Sequence, residues 1–303
     1  MSKLTVVGHE GPKQVLRTLG AHTLLFSGPA GVGRRQVARW HAARLNCAQG
    51  GPEPCERCES CTLFLAERHP DYREIGPNTL TKTGKSSRRP EIRISQLVPR
   101  PGEEDIDPPL SRWLEARPQF KRRVAVIDSA DTLNRNAANA FLKTLEEPPA
   151  HATIILIAPS PGSVLGTVAS RSAPVRFGTV ALPQGSHPAA RLGRLGDLRR
   201  KEADPAAFEA ADRVLQDYVN ALPKGLEAAF EAADALEKLW LSVTPFDLTD
   251  LLLARFSAWS PARYAAAQTA LAQFEDALSA YAAAGLAAQV LTLELRETLK
   301  TLA

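Results

Sequence analysis

Cys47, Cys55, Cys58 and Cys61 are the whole cysteine complement of the chain, and all four fall in one short stretch. Gly50-Gly51-Pro52 and Pro54 supply turns between the first two, and two-residue spacers separate the last three. Zn2+ takes four soft thiolates in a tetrahedron, and such spacers let neighbouring sulfurs converge on one ion. With four protein ligands and no open position, the expected site is structural. Four free thiols or a redox pair are the alternative that the same cysteines leave open.

A second pattern concerns phosphate. Gly28-Pro29-Ala30-Gly31-Val32-Gly33-Arg34-Arg35 follows an apolar run and opens a helical stretch. A P-loop needs Gly-x4-Gly-Lys-Ser/Thr in that setting, the lysine reaching the terminal phosphates and the hydroxyl ligating magnesium. Gly28 and Gly33 keep the frame, but Arg34 stands at the lysine position and Arg35 at the hydroxyl position. Arginine is planar and bulkier than lysine, so the first change is not conservative at a cramped phosphate site. Arg35 cannot ligate a cation. Arg123 to Asp131 reads as a strand ending in an acid, Asp128, in the manner of a Walker B segment. Ser129 follows it where a carboxylate would activate water, and serine cannot serve as that base. Asp131 lies farther along and reads more simply as a cap for the next helix. Two unrelated lesions in one site predict a chain that does not itself hydrolyse ATP.

These groups need a scaffold. Apolar runs at Thr23–Ser27, Tyr72–Ile75, Val124–Asp128, Ile154–Ala158 and Val175–Phe177 read as strands, with helical patterns from Arg34 to about Leu45 and from Asn134 to Glu146. Pro148-Pro149 ends the second helix. Strands alternating with helices predict a mostly parallel sheet covered on both faces. Residues 77–111 are rich in Thr, Ser, Lys, Arg and Pro, and read as a mobile insertion with a short helical or extended piece at Ile92–Val98. Beyond Phe177 the texture changes. Residues 181–203 read as a reduced lid or linker, and 204–303 as an Ala-rich, all-helical domain of four or five helices. Asp204-Pro205, Thr244-Pro245 and Ser260-Pro261 are start signals, and Phe208, Ala211, Val214, Leu215, Tyr218 and Val219 recur at helical spacing.

Composition bounds the function. The 303 residues are 44% hydrophobic and 23% charged, enough for two or three modest cores. No run of about 18 apolar residues suggests a membrane span, and the first ten residues lack a secretory pattern. A cytoplasmic protein is expected. Residues 1–180 carry 25 Lys and Arg against 17 Asp and Glu, whereas 181–303 carry 12 against 16. A basic front half suits an anionic partner, nucleotide or nucleic acid, although ordinary solvated surface would look the same.

Asn139 to Pro149 is by periodicity an ordinary amphipathic helix with Phe141, Leu142 and Leu145 inward. Its wording, Phe-Leu-Lys-Thr-Leu-Glu-Glu-Pro-Pro, closely resembles the signature of bacterial clamp-loader subunits of DNA polymerase III, which are AAA+ proteins. The four-cysteine module after the P-loop helix and His69-Pro70-Asp71 beyond it belong to the same pattern. The match covers roughly residues 1–180, and only the general character of the closing Val290–Leu299 helix resembles the family's collar. The resemblance implies an AAA+ P-loop core at 1–180 with a zinc module at 47–61, a reduced helical lid at 181–203 and an oligomerising collar at 204–303. Gamma/tau motors of the family keep Gly-Lys-Ser/Thr and Asp-Glu, so the degenerate residues here resemble its non-hydrolysing members. Ala158-Pro159-Ser160 departs from the family, which places a polar sensor there.

The resemblance also gives Ser170-Arg171-Ser172 a role. The family has Ser-Arg-Cys before the last core strand, and its arginine acts in trans on a neighbouring motor's ATP as an arginine finger. Without that context, Arg171 reads as a surface residue at a helix C-terminus. The implied partners are the gamma/tau motors and the delta subunit, with the sliding clamp and primed DNA reached through the assembly. The implied activity at that level is DNA-directed DNA polymerase, in a bacterial cytoplasmic complex associated with the nucleoid during replication. Two other readings stay open: an active gamma/tau-like ATPase, and a stand-alone zinc protein binding nucleic acid through the basic Lys82–Arg100 segment.

Overall fold

The structure is a computed structural model, and it describes residues 4–6, 8–29, 31–80, 86–100, 108–180, 204–242, 248–280 and 283–301. The chain divides into two compact units, 1–178 and 179–303.

The first unit is built on five parallel strands: β1 (Thr23–Ser27), β2 (Tyr72–Ile75), β5 (Arg123–Ile127), β6 (Ala152–Ala158) and β7 (Ala173–Arg176). Their order across the sheet is β2-β5-β6-β1-β7. Phe26 lies opposite Ile157 of β6 and Val175 of β7, which places β1 between two strands that both follow it in sequence. The period-2 alternation of a strand sorts the side chains into two cores. Leu24, Phe26, Val124, Val126, Ile155 and Ile157 face one side, where α1 (Glu10–Thr18), α2 (Arg34–Asn46) and α3 (Glu59–Leu65) pack through Leu16, Trp40 and Phe64. Leu25, Ala125, Ile127, Ile154 and Leu156 face the other. There α6 (Arg135–Glu146) contributes Phe141 and Leu145. Asn134 caps α6 by accepting from the Ala137 N–H at 2.8 Å, and the helix stops ahead of Pro148 as expected from the sequence.

The segment from 77 to 111 departs from expectation. An antiparallel pair, β3 (Asn78–Leu80) and β4 (Ser86–Glu91), leads into the short helix α4 (Ile94–Leu97). Instead of a mobile insertion, the described part is tied into the second core. Ile92, Leu97 and Leu110 are fully buried there, and Ile92 bridges to Leu133. Three apolar residues in a polar run are enough to carry it inward. Helix α5 (Leu110–Glu115) and the single turn α7 (Gly166–Ala169) complete the unit.

The second unit, among its described residues, is all helix: α8 (Pro205–Ala221), α9 (Leu226–Leu241), α10 (Leu248–Phe256), α11 (Pro261–Ser279) and α12 (Ala284–Thr301). Asp204 and Ser260 act as N-caps ahead of proline, accepting from the Ala207 and Arg263 N–H groups. Phe208, Ala211, Leu215 and Tyr218 form the buried face of α8, while Val214 and Val219 are only half-buried. Thr244-Pro245 and the reduced lid at 181–203 lie outside the described residues. Among described residues, no helix is long and apolar enough to cross a membrane.

Candidate functional site

The four cysteines converge. Their Sγ atoms all lie within 4.8 Å of one another, with Cys47 and Cys61 buried and Cys55 and Cys58 at the rim. Four thiolates about 2.3 Å from one zinc would sit roughly 3.8 Å apart, so the set fits a tetrahedral ion after a small contraction. Cys55 is pulled down to about 6, chiefly by the backbone N–H groups of Arg57 and Cys58, whereas burial pushes the Cys61 thiol up. No disulfide links any pair.

The loop carrying the first ligands is fastened by a residue that the sequence did not single out. Glu53 accepts from Trp40 Nε1 at 2.6 Å and from Arg17 at 2.5 Å, and it pairs with Lys13 at 3.2 Å. Burial opposes ionisation there, but these donors outweigh it and hold the carboxyl below the usual range. His69 fixes the far side. It stacks on Phe64 with ring centroids 4.0 Å apart and bonds the Ser60 hydroxyl at 3.0 Å. Asp71, fully buried, accepts from the Gln119 and Phe120 N–H groups at 2.9 and 2.7 Å. His69-Pro70-Asp71 is thus a structural clasp between α3 and the sheet.

The Gly28–Gly33 loop lies at the carboxyl end of β1, the position where open parallel sheets bind ligands. Gly28 comes so close to the residue following β7 that a Cβ there would sit 2.3 Å from the Phe177 carbonyl oxygen. Gly33, with φ 103°, turns the chain into α2. His9 Nε2 donates to the Val32 carbonyl at 2.7 Å and so ties the loop to the start of α1. Ala30 lies outside the described residues.

The two arginines are occupied. Arg34 folds back and donates through Nη1 to the Ala158 carbonyl at the end of β6. Burial pulls its guanidinium below the ordinary value, and Asp128 and Asp131 offset part of that through space. A guanidinium therefore stands between the carboxyl ends of β5 and β6. Arg35 pairs with Glu74, which also accepts from the Tyr72 hydroxyl. Although burial works against its charge, Glu74 raises the Arg35 guanidinium above its ordinary value. Asp128 caps locally, accepting from the Ser129 N–H at 2.9 Å. Ser129 itself sits in the left-handed region at φ 56° and opens a 3-10 turn, Ala130–Thr132, which includes Asp131.

Ser170 and Arg171 lie at the opposite end of the sheet. Arg171 ends the turn of α7 just before β7, beside the start of β1. Four residue steps of about 3.3 Å, roughly 13 Å of strand, separate the two ends of β1. Arg171 consequently does not reach the P-loop of its own chain. Its Nε donates to Glu146 Oε1 at 2.5 Å, and its Nη1 donates to the Thr167 carbonyl at 2.9 Å and to Ser170 Oγ at 3.2 Å. Ser172 is buried and donates to the Val168 carbonyl at 2.9 Å. The pairs Arg171–Glu146, Arg34–Ala158 and Arg35–Glu74 join residues far apart in sequence, so no spacing signal announces them.

Comparison with known proteins follows from this geometry. The sequence profile of the family described as DNA polymerase III, delta subunit, matches residues 14–181. The chain is 33% identical over 156 residues to DNA polymerase III subunit delta' of Pseudomonas aeruginosa, covering 51% of this chain and 42% of that protein. It is 29% identical over 157 residues to the delta' subunit of Bacillus subtilis, with 52% and 42% covered. Against DNA polymerase III subunit tau of Salmonella typhimurium it is 34% identical over 204 residues, covering 66% of this chain and 28% of the relative. The matches thus span about two fifths of the delta' relatives. Among solved structures, a gamma subunit-related protein of Thermotoga maritima aligns with a TM-score of 0.42 at 17% identity, over 95% of this chain and 99% of that one.

Proposed function

The chain belongs to the DNA polymerase III delta-subunit family, and from that membership we propose that it is a delta-prime-like, non-hydrolysing subunit of a replicative clamp loader. The observation that carries the reading is the occupied P-loop. Arg34 and Arg35, the two residues that replace the phosphate and magnesium contacts, are bound to Ala158 and Glu74 of the chain itself. With both positions engaged in this way the loop lacks the lysine and hydroxyl that hold Mg·ATP, and Ser129 offers no base for water.

Arg171 supports the second half of the proposal. It stands about one strand length from its own P-loop, so any nucleotide it serves belongs to a neighbour. Partners in this reading are gamma/tau motor subunits and a delta subunit, with the clamp and primed DNA engaged by the whole assembly. The helical unit, on the acidic side of the charge division, serves as the collar. The thiolate cluster holds a structural Zn2+, which when bound would cross-link Cys47 at the end of α2 to Cys61 in α3. Basic side chains of the first unit contact phosphate without reading sequence.

The gamma/tau relatives, matched at 34% identity, favour a motor as the competing reading. Purified chain tested for ATP turnover, alone and mixed with motor subunits, decides between them. No turnover alone with stable co-migration in the mixture supports the proposal. Turnover by the isolated chain overturns it.

A further inference from the structure

We infer that Glu146 is a positioning residue for Arg171, an inference that rests on the trans-acting role proposed for that arginine. Three acceptors take up two of the guanidinium nitrogens: Glu146 on Nε, and Thr167 and Ser170 on Nη1. None of the hydrogen bonds Arg171 makes among the described residues uses Nη2. With Nε and Nη1 both tethered, the plane of the guanidinium is fixed and the Nη2 N–H groups are left for an incoming anionic oxygen.

Both tethers come from elements with a fixed register. Glu146 is the last residue of α6, which is locked by its Asn134 cap and by fully buried Phe141 and Leu145. Thr167 and Ser170 flank buried Val168 in the α7 turn. The arginine is therefore triangulated from two anchored points rather than left to sample its rotamers. Its side chain also lines an open groove of about 500 Å3 with Glu146, Glu147, His22 and Thr23 and is about a third exposed, so a ligand can approach it.

The ion pair does little for the fold. The two side chains are 35% and 46% exposed, and solvent-screened pairs of this kind contribute little to folding. Orientation is a different matter, because a donor held in place before the transition state forms needs no reorganisation to act. Glu146 and Arg171 lie in two of the segments whose wording resembles the clamp-loader family, and the ion pair links them across the packed α6 and α7. The carboxylate also screens the positive charge that a phosphate would feel. Geometry and charge thus pull in opposite directions, and substitution separates them, since glutamine keeps the acceptor oxygen and removes the charge.

The test uses the full chain assembled with motor subunits, clamp and primed DNA, and reads ATP turnover as kcat and KM. Arg171→Ala defines the share of turnover that the finger supplies. Glu146→Ala is expected to abolish most of that share through kcat with KM nearly unchanged, while Glu146→Gln keeps most of it. The double variant should be no worse than Arg171→Ala alone, and melting temperature and assembly should match wild type throughout. If Arg171→Ala lowers turnover but Glu146→Ala does not, the positioning role is wrong and the finger stands. A rise in turnover with both Glu146 variants would make the carboxylate a brake and overturn the inference. No effect of Arg171→Ala would instead remove the finger reading itself.

Discussion

At Arg34 a guanidinium stands at the P-loop lysine position, and its cost of burial is offset only in part by Asp128 and Asp131, while Ala158 accepts its hydrogen bond. Restoring the motif by Arg34→Lys with Arg35→Thr should therefore create measurable Mg·ATP binding. Hydrolysis should stay absent, because Ser129 still lacks a carboxylate; titration with a fluorescent ATP analogue and a phosphate-release assay check the two halves. Gly28 is the most constrained residue of the loop. Gly28→Ala forces a Cβ against backbone at Phe177, and the expected destabilisation is about 1–3 kcal/mol, read by denaturant titration. The arginine substitutions were legible in the sequence because a motif names the residues it needs. Their destinations were not, since Arg34 finds its acceptor 124 positions away.

The cysteine module shows the same division among elements. Two-residue spacers announced the cysteine cluster, but Glu53, which fastens the loop to Trp40, Lys13 and Arg17, carried no pattern. The chain should bind one zinc equivalent with all four thiolates, and Cys58→Ser should lower both stoichiometry and melting temperature; elemental analysis and a thiol-zinc release assay decide it. Histidines behind the module give a pH signature. Burial pushes His69 down to about 4 and His41 to about 3, the latter with help from Arg44 and Arg122. Folded values below the unfolded value of about 6.5 mean that the unfolded chain takes up more protons. The stabilisation they represent is complete above pH about 6.5 and is lost as pH falls toward 4. The stability gap between wild type and His69→Gln should therefore narrow over that window, measured by urea unfolding at each pH. The strands were readable because each alternates between two apolar cores. The β3–β4 pair was not, because its Arg- and Ser-rich run lacks alternation and only Ile92 and Leu97 drive the segment that follows inward.

Over the whole molecule, two units with separate cores predict two unfolding transitions rather than one. Chelation should shift only the transition of the 1–178 unit, and calorimetry with and without a chelator reads this directly. The change from βα alternation to an Ala-rich helical tail was visible in the sequence, and proline after a capping residue marked where α8 and α11 begin. What a sequence could not show is that the Gly28–Arg35 loop and Arg171 lie at opposite ends of one sheet, separated by roughly 13 Å of strand. That polarity is the physical reason for reading the chain as a passive neighbour to a motor. The most direct test assembles the loader with wild-type or Arg171→Ala chain and measures ATP turnover on clamp and primed DNA, beside the isolated chain. No turnover is expected from the chain alone, and a marked fall is expected with Arg171→Ala while the complex stays intact. Turnover by the isolated chain, or full turnover by the Arg171→Ala assembly, would contradict this reading.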